Sequence, residues 1–123
     1  EVKVQQRFRH INNFEQLLEE DNGTVVLKFY LHISYEEQEK ELRERMEEHD
    51  KMWKHNPGDW EQRQHWDAYM AAYEDVFKHC GPERPWTIVP ANKNWWKEYV
   101  ILTRIAEALD SLDMEYPHFS EAD

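Results

Sequence analysis

Basic side chains cluster in the first half of the chain, in a segment whose composition suits phosphate chemistry. The cluster consists of Lys40, Arg43, Arg45, Lys51 and Lys54. Phosphoryl transfer needs cations of this kind, because its transition state spreads negative charge over the transferring oxygens and closure of a mobile segment brings the cations in. The same residues also fit a plain solvated helix face, stabilised by pairs four residues apart such as Glu41 with Arg45. The spacing alone leaves both interpretations open.

Histidine and cysteine residues offer a second kind of chemistry, but their spacing does not support it. The candidates are His49, His55, His65, His79 and Cys80. No two of them have a recognised metal-ligand spacing on one helix face, so we predict no metal site among them. Cys80 next to His79 suggests a nucleophile with its base, yet neighbours in sequence need not face each other, and Gly81-Pro82 indicates a turn.

The six tryptophans could stack nucleobases, as aromatic side chains do in proteins that bind single strands. Tryptophan at helical spacing in an α/β protein also buries its large surface against the sheet, and we expect that role for most of the six. An exposed, base-stacking tryptophan near Trp95 stays an open alternative.

The charge of the chain narrows the classes of partner. It carries 26 acidic residues against 15 basic ones, a formal net charge of −11. A general binder of DNA, RNA or anionic membranes usually shows the opposite balance, so we expect no nucleic-acid or membrane partner, and any polyanion must bind at a local basic patch. No stretch approaches the roughly 20 apolar residues of a membrane span. The single cysteine fits a reducing compartment, and together these features predict a cytoplasmic protein.

The hydrophobic pattern locates the helices and strands that must position these residues. Apolar residues at helical spacing predict a helix over residues ~6–20 that ends before Asn22-Gly23. Residues 24–33 are β-branched, aromatic and almost continuously apolar, as in a strand buried on both faces of a parallel sheet. Ser34 and Glu37 form a capping-box pattern for a helix that runs to about Glu48.

The second half of the chain repeats this alternation. Asp59 follows a Pro-Gly turn and is expected to cap a long helix that runs from Trp60 through Phe77. Trp86 to Val89 form a short second strand, and Trp95 to about Leu112 form a last amphipathic helix. The tail, residues 118–123, is polar, and we predict that it is disordered.

Helices alternating with strands predict an α/β protein with a parallel sheet. Two strands are too few for a stable sheet of this kind, because a two-stranded parallel sheet is marginal alone and residues 24–33 have the composition of a central strand. We therefore expect part of the sheet to lie outside this sequence.

The first residues, Glu1-Val2-Lys3, lack an initiator Met, which we interpret as a cut inside a longer chain. Three glycines, at 23, 58 and 81, cannot build a Walker A loop or a dinucleotide fingerprint.

The order of the segments resembles the polyphosphate kinase 2 family. Residues 7–15 read Arg-Phe-Arg-His-Ile-Asn-Asn-Phe-Glu, similar to the family's R-F/Y-x-x-I-N-x-F-E. Residues 23–34, with Glu37-Gln38, resemble its G-T-x-x-L-K-F-F-L-H-I-S-x-x-E-Q. Further matches follow in the family's order: Glu44-Arg45, Trp53-Lys54, Asp59, Arg63, Trp66, Tyr69, residues 72–75, Pro85-Trp86, residues 89–91, Trp95 and Tyr116-Pro117. The resemblance covers residues 7–117.

This resemblance implies a fold and an activity. The fold is part of a P-loop kinase-like three-layer α/β/α domain, similar to thymidylate kinase, with parallel strands and a helical lid. The activity is phosphoryl transfer between inorganic polyphosphate and nucleoside mono- or diphosphates, with Mg²⁺ as the metal. Residues 1–117 would be the C-terminal part of such a domain, with the lid over about residues 35–65, in a protein that we expect to be a homo-oligomer. The family's Walker A and B elements lie upstream, so we expect the isolated chain to be inactive.

The resemblance also assigns roles to four basic residues. In members of the family, the lid region and the segment before the first strand carry basic residues that contact phosphates. On that basis Arg45 is expected to neutralise charge on the transferred group, with Arg7 and Lys54 as supporting phosphate contacts. Arg63 is a further phosphate-binding candidate, and a structural ion pair with Asp59 or Asp67 is its alternative. The Mg²⁺ ligands are expected outside this chain.

Two departures from the family pattern leave substrate preference and direction of transfer open. Glu39-Lys40-Glu41 stands where the family often has a basic cluster. Residues 90–95 read Pro-Ala-Asn-Lys-Asn-Trp where the family usually reads P-A-D-D-K-W, which removes two carboxylates. A rival hypothesis is a non-catalytic interaction or assembly module that pairs with another chain through an exposed sheet edge and Trp-rich helices.

Overall fold

The computed structural model describes residues 2–117 as helices around a short parallel sheet. The predicted disordered tail, residues 118–123, lies outside the described residues. The elements are α1 (Val2–Asn22), β1 (Lys28–His32), α2 (Tyr35–Glu47), a 3₁₀ turn (Met52–Lys54), α3 (Pro57–Arg63), α4 (Trp66–His79), β2 (Trp86–Pro90) and α5 (Asn94–Ser111). None of the helices between residues 2 and 117 is long and apolar enough to cross a bilayer.

The two strands are parallel, which confirms the predicted α/β class. Lys28 of β1 is paired with Trp86 of β2, and the register continues to His32 opposite Pro90. The strand is shorter than the predicted 24–33, because β2 offers only five residues for pairing. Val25 and Leu27, which precede β1, are exposed. Within residues 2–117 the sheet therefore has two strands, and the rest of the apolar run lies outside its ladder.

Local sequence signals set the ends of α1 and α2. Gly23 follows α1 with a φ of 62°, and the N–H of Thr24 donates to the carbonyl of Leu18 at 3.1 Å, as in a Schellman cap. The hydroxyl of Ser34 accepts the N–H of Glu37 at 3.1 Å, so the predicted cap of α2 is confirmed.

The predicted long helix from Trp60 through Phe77 is wrong, because the structure divides it into α3 and α4. The break lies at Gln64 and His65, whose N–H groups make tight bonds to carbonyls three residues earlier. The predicted cap is also wrong: Asn56, rather than Asp59, accepts the N–H of Gly58 at 3.0 Å. Asp59 lies in the first turn of α3, where its negative charge interacts favourably with the helix dipole.

The core of the described residues is small. Tyr30 of β1 packs against Tyr73 and Phe77 of α4, with ring centroids 4.5 and 5.1 Å apart. Val89 of β2 is fully buried, and α5 lies against the same strand. Many large apolar side chains stay exposed, including Phe14, Leu31, Trp95, Tyr99 and Leu102.

Candidate functional site

The carboxyl ends of the two strands meet at one edge of the sheet. The N–H of Ala91 donates to the carbonyl of His32 at 2.7 Å, just beyond the paired register. The side chain of Asn92 accepts the N–H of Ser34 at 2.9 Å and so joins the loop after β2 to the cap of α2. Ligands of open parallel sheets bind outside the carboxyl ends of the strands. This edge is therefore where we place the candidate site.

A helical hairpin, residues 35–65, leads away from this edge. It consists of α2, the 3₁₀ turn and α3, and it contains three of the four predicted site residues: Arg45, Lys54 and Arg63. Arg7 lies on α1 instead, on an exposed part of that helix. The structure thus places three of the predicted residues on one unit and the fourth on another.

Arg45 lies in the last turn of α2 and pairs with a carboxylate across the hairpin. Its Nη1 is 3.2 Å from Oδ2 of Asp59, and the two side chains are 35% and 36% exposed. The predicted helical pair between Glu41 and Arg45 is replaced by this longer-range contact. A guanidinium has five N–H donors, and this ion pair uses one of them. Arg45 is therefore held in place while most of its donors remain able to bind a ligand.

Arg63 is buried, with a side chain 6% exposed, and its contacts are internal. It donates to the carbonyl of Tyr35 at 2.7 Å, to the Gln38 side chain at 3.3 Å and to the Glu39 carboxylate at 2.9 Å. Its guanidinium also lies 3.6 Å from the centroid of the Tyr35 ring. The predicted ion pair with Asp59 or Asp67 is corrected to one with Glu39, because α3 folds back on the first turns of α2. Arg63 thereby ties the two ends of the hairpin together.

Lys54 and Lys51 differ in whether their ammonium groups are bound by carboxylates. Lys54 is exposed, and its ammonium lies 5.2 Å from the Trp53 ring centroid. Lys51 pairs with Glu44 and Glu48, at 3.3 and 2.6 Å. These pairings raise the pKa of Lys51, chiefly through the hydrogen bond to Glu48. Lys54 is thus more available to a phosphate than Lys51.

Glu39 is the carboxylate that joins the two arms of the hairpin. It accepts hydrogen bonds from Arg43 at 2.7 and 3.1 Å on α2 and from Arg63 on α3. The hydrogen bond from Arg43 lowers the pKa of Glu39, and the charges of Arg43 and Arg63 add to this effect against the opposing effect of burial. Glu39 is therefore a stable anion at neutral pH.

The described residues do not form a metal centre. Among residues 2–117, no group of three or more His, Cys, Asp or Glu side chains is arranged to hold a metal ion. The hairpin carboxylates of Glu39 and Asp59 are paired with arginines instead. The residues present therefore do not fit a Mg²⁺ site of their own.

His79 and Cys80 do not form a nucleophilic pair. The His79 ring is stacked on Phe8, and its Nδ1 lies 2.8 Å from the carbonyl of Asp75. Cys80 is 3% exposed, and burial raises the pKa of its thiol. A buried, protonated thiol is a poor nucleophile, which supports the interpretation of this segment as a structural turn.

Sequence reasoning did not find two contacts that shape the site. The Asn92–Ser34 contact joins residues 58 positions apart, and the Arg45–Asp59 pair joins residues 14 apart. A signal for the first existed, because a polar residue directly after a parallel strand lies at the ligand-binding edge. The second depends on how the hairpin turns, which no local pattern encodes.

Comparison with known proteins decides the family. The sequence profile of the polyphosphate kinase 2 (PPK2) family matches residues 1–118. The chain belongs to the polyphosphate kinase 2 family. Its fold agrees with this: a crystal structure of polyphosphate kinase 2 from Arthrobacter aurescens TC1 superposes with a TM-score of 0.90 at 35% identity. That match covers 98% of this chain and 44% of the Arthrobacter chain.

Two curated relatives of this polyphosphate kinase 2 chain illustrate its extent. The AMP/ADP-polyphosphate phosphotransferase of Meiothermus ruber is 45% identical over 114 residues, which are 92% of this chain and 42% of that protein. A protein of Leptolyngbya boryana, known by its position in the chlN 3' region, is 46% identical over 116 residues, 94% of this chain and 85% of its own. The chain thus spans about two fifths of the length of the Meiothermus enzyme.

Proposed function

We propose that this chain is the lid-bearing, C-terminal part of an enzyme that transfers phosphoryl groups between inorganic polyphosphate and nucleoside mono- or diphosphates. The observation that carries the proposal is the 45% identity, over 92% of the chain, to an AMP/ADP-polyphosphate phosphotransferase. The geometry supports it, because the hairpin that carries Arg45 and Lys54 starts at the carboxyl edge of a parallel sheet, where ligands of such sheets bind.

Arg45 is the residue to which we assign charge neutralisation on the transferred group. Phosphoryl transfer is catalysed mainly by positioning and by cations placed where charge develops. Arg45 has a fixed partner in Asp59 and further N–H donors that can meet phosphate oxygens. Lys54 and Arg7, both exposed, would support it by binding the chain of phosphates. The buried contacts of Arg63 favour its structural role in the hairpin over a phosphate contact.

The lid role of residues 35–65 is part of the same proposal. Arg63 ties α3 to the start of α2, and Arg45 ties the end of α2 to α3. Internal contacts therefore join α2 and α3 both near the sheet and near the tip of the hairpin. A hairpin held in this way would move as one body and bring Arg45 and Lys54 to the phosphates together. Closure of such a segment also excludes water from the transferring group.

The whole enzyme would use Mg²⁺, which neutralises phosphate charge in phosphoryl transfer. The ligands would come from residues other than those described here, and we assign no step to the metal. We also propose that the enzyme is a cytoplasmic homo-oligomer without nucleic-acid or membrane partners. The net charge of −11 that this chain contributes supports the exclusion of those two partners.

A phosphotransfer assay with ADP or AMP, polyphosphate and Mg²⁺ tests the proposal. We expect turnover from the whole enzyme and none from the 123-residue chain, because its three glycines cannot form a phosphate-binding loop. Replacing Arg45 by Ala in the whole enzyme should lower kcat by about 10³-fold, the lower end of the effect of a transition-state arginine. Replacing Arg43 by Ala, also on α2 but paired with Glu39, should change kcat far less. Full activity of the Arg45 variant would refute the assignment.

One observation favours a second candidate function, a non-catalytic assembly module. The outer face of α5 exposes Trp95, Tyr99 and Leu102, with the Trp95 side chain 67% exposed. Apolar patches of this kind mark protein interfaces. Light scattering after size-exclusion chromatography separates the possibilities: a stable monomer of the 123-residue chain with a sharp unfolding transition would count against an interface on this face.

A further inference from the structure

Helix α1 is attached to the rest of the chain by a stripe of mostly polar contacts. The contacts come from four residues at spacings of four, three and four, which share one helix face: Phe8, Asn12, Glu15 and Glu19. We call these four residues the anchor stripe. The Phe8 ring stacks on His79 at 5.4 Å between centroids, and Asn12 donates to the carbonyl of the same histidine at 2.8 Å. Three residues of the stripe thus contact the segment between α4 and β2 or the histidine at its start.

The two carboxylates of the anchor stripe bind basic side chains. Glu19 accepts from Nε of Arg84 at 2.6 Å. Glu15 lies 2.9 Å from Nζ of Lys28, and these two side chains are 12% and 6% exposed. The pair between Glu15 and Lys28 is therefore the more buried of the two. Removing one partner of a buried pair leaves an uncompensated charge, so this contact strongly disfavours any other rotation of α1.

The contacts of Lys28 are made within the protein. Its ammonium group donates to Glu15 and to the carbonyl of Cys80, and it lies 5.2 Å from the centroid of the Trp86 ring. One lysine thus joins α1, β1 and the turn before β2. A lysine in a kinase is often taken for a phosphate ligand, but the burial of Lys28 assigns it to structure.

Within residues 2–117, apolar burial contributes little to the rotation of α1. No apolar residue of α1 is fully buried, and Ile11, Phe14 and Leu17 are exposed. Apolar contacts are in any case non-directional, whereas hydrogen bonds and ion pairs require defined geometry. Among residues 2–117, the anchor stripe therefore supplies the directional contacts that orient the α1 side chains.

Arg7 lies next to this stripe, one residue before Phe8. Successive residues of a helix are rotated by roughly 100°, so Arg7 projects beside the stripe and not into it. Its side chain is exposed. A change in the rotation of α1 would move Arg7 directly.

We propose that Glu15 and Lys28 are positioning residues: their buried ion pair sets the rotation of α1 and so aims Arg7 at the phosphate chain. This inference rests on the proposed function, because it takes Arg7 as a phosphate contact. It adds a role for two residues that touch no substrate.

Kinetics of the whole enzyme test the inference. Glu15→Gln should raise the KM for polyphosphate about tenfold, which corresponds to about 1.4 kcal/mol, and leave the KM for the nucleotide unchanged. Arg7→Gln should have the same effect. The double variant should be no worse than Arg7→Gln, because both changes remove the same contact. Glu20→Gln is the matched control, since Glu20 is an exposed carboxylate of α1 outside the anchor stripe.

Three outcomes would overturn the inference. If the effects of Glu15→Gln and Arg7→Gln multiply, or if the nucleotide KM rises as well, the ion pair serves stability alone. If Glu15→Gln leaves the polyphosphate KM unchanged, the pair does not position Arg7. A double variant, Lys28→Met with Glu15→Leu, replaces both partners and so leaves no unpaired buried charge. It should fold and still show the raised KM for polyphosphate.

Hydrogen exchange separates this inference from the proposed function. Glu15→Gln should speed amide exchange along Val2–Asn22, whereas Glu20→Gln should not. If the unaltered enzyme shows no turnover with polyphosphate, the proposed function fails while the exchange experiment still reports on the ion pair. Unchanged exchange in Glu15→Gln would show that α1 is held without it.

Discussion

The guanidinium of Arg45 and the carboxylate of Asp59 face each other across the hairpin, with 3.2 Å between Nη1 and Oδ2. Arg45 lies in the last turn of α2 and Asp59 in the first turn of α3, so the pair joins the two helices close to the 3₁₀ turn. Because both side chains are half-exposed, the pair adds little to stability. Its main effect is on the orientation of the arginine.

Replacing Asp59 by Asn should lower the kcat of the whole enzyme about tenfold, because Asn keeps the size of the side chain but loses the charge that orients Arg45. The free energy of unfolding should change by less than about 1 kcal/mol. Steady-state kinetics with polyphosphate in excess measure the first effect, and denaturant unfolding measures the second. Glu61→Gln, an exposed change on the same helix, is the control. Wild-type kcat in the Asp59 variant would contradict the orienting role.

Replacing Arg63 by Lys should destabilise the protein by about 2–3 kcal/mol, because an ammonium cannot replace the fork that binds Tyr35, Gln38 and Glu39 together. Urea unfolding of both proteins gives the difference. Arg43→Lys, at an exposed ion pair, should cost far less. If Arg63→Lys is fully stable but has a raised polyphosphate KM, then Arg63 contacts phosphate instead.

Stability should fall in acid partly through Glu39. Its pKa in the folded state is lowered from the ordinary 4.5, first by the hydrogen bond from Arg43. A carboxylate with a lowered folded pKa stabilises the protein above the unfolded value and loses that contribution as the pH falls through the folded value. The difference in unfolding free energy between wild type and Glu39→Gln should therefore be constant above about pH 5 and shrink below it. A difference independent of pH would contradict this.

Cys80 should be protected from alkylation in the folded protein. It is the only cysteine of the chain, it is buried, and burial raises the pKa of its thiol above the ordinary 9.0. Because the thiolate is the reactive form, iodoacetamide at neutral pH should label it only after unfolding. Mass spectrometry with and without denaturant measures this, and rapid labelling of the native chain would show that the turn at Cys80 opens readily.

Local signals made much of the fold predictable. The Ser34–Glu37 spacing located the start of α2, and Asn22-Gly23 located the end of α1, because each cap involves residues within one or two turns. The parallel pairing of the strands followed from the alternation of helices and strands.

Contacts between distant residues account for what the sequence did not show. The helix after Asn56 breaks where Arg63 reaches Tyr35 and Glu39, which precede it by 28 and 24 residues. Helical periodicity through Trp66 gave no sign of this break, since burial of one arginine is decided by tertiary structure. For the same reason the arginines of the hairpin could be named as candidates from the sequence, while the different roles of the half-exposed Arg45 and the buried Arg63 could not.

The bracing of the hairpin has a practical consequence for probes of this protein. Arg63 and Asp59 join α3 to α2 through residues outside the tip of the hairpin, so a side-chain change at the tip leaves these two contacts in place. Trp53, at this tip, is the most exposed of the tryptophans among residues 2–117. A fluorophore attached at position 53 would report where the hairpin lies while leaving the contacts of Arg63 and Asp59 intact.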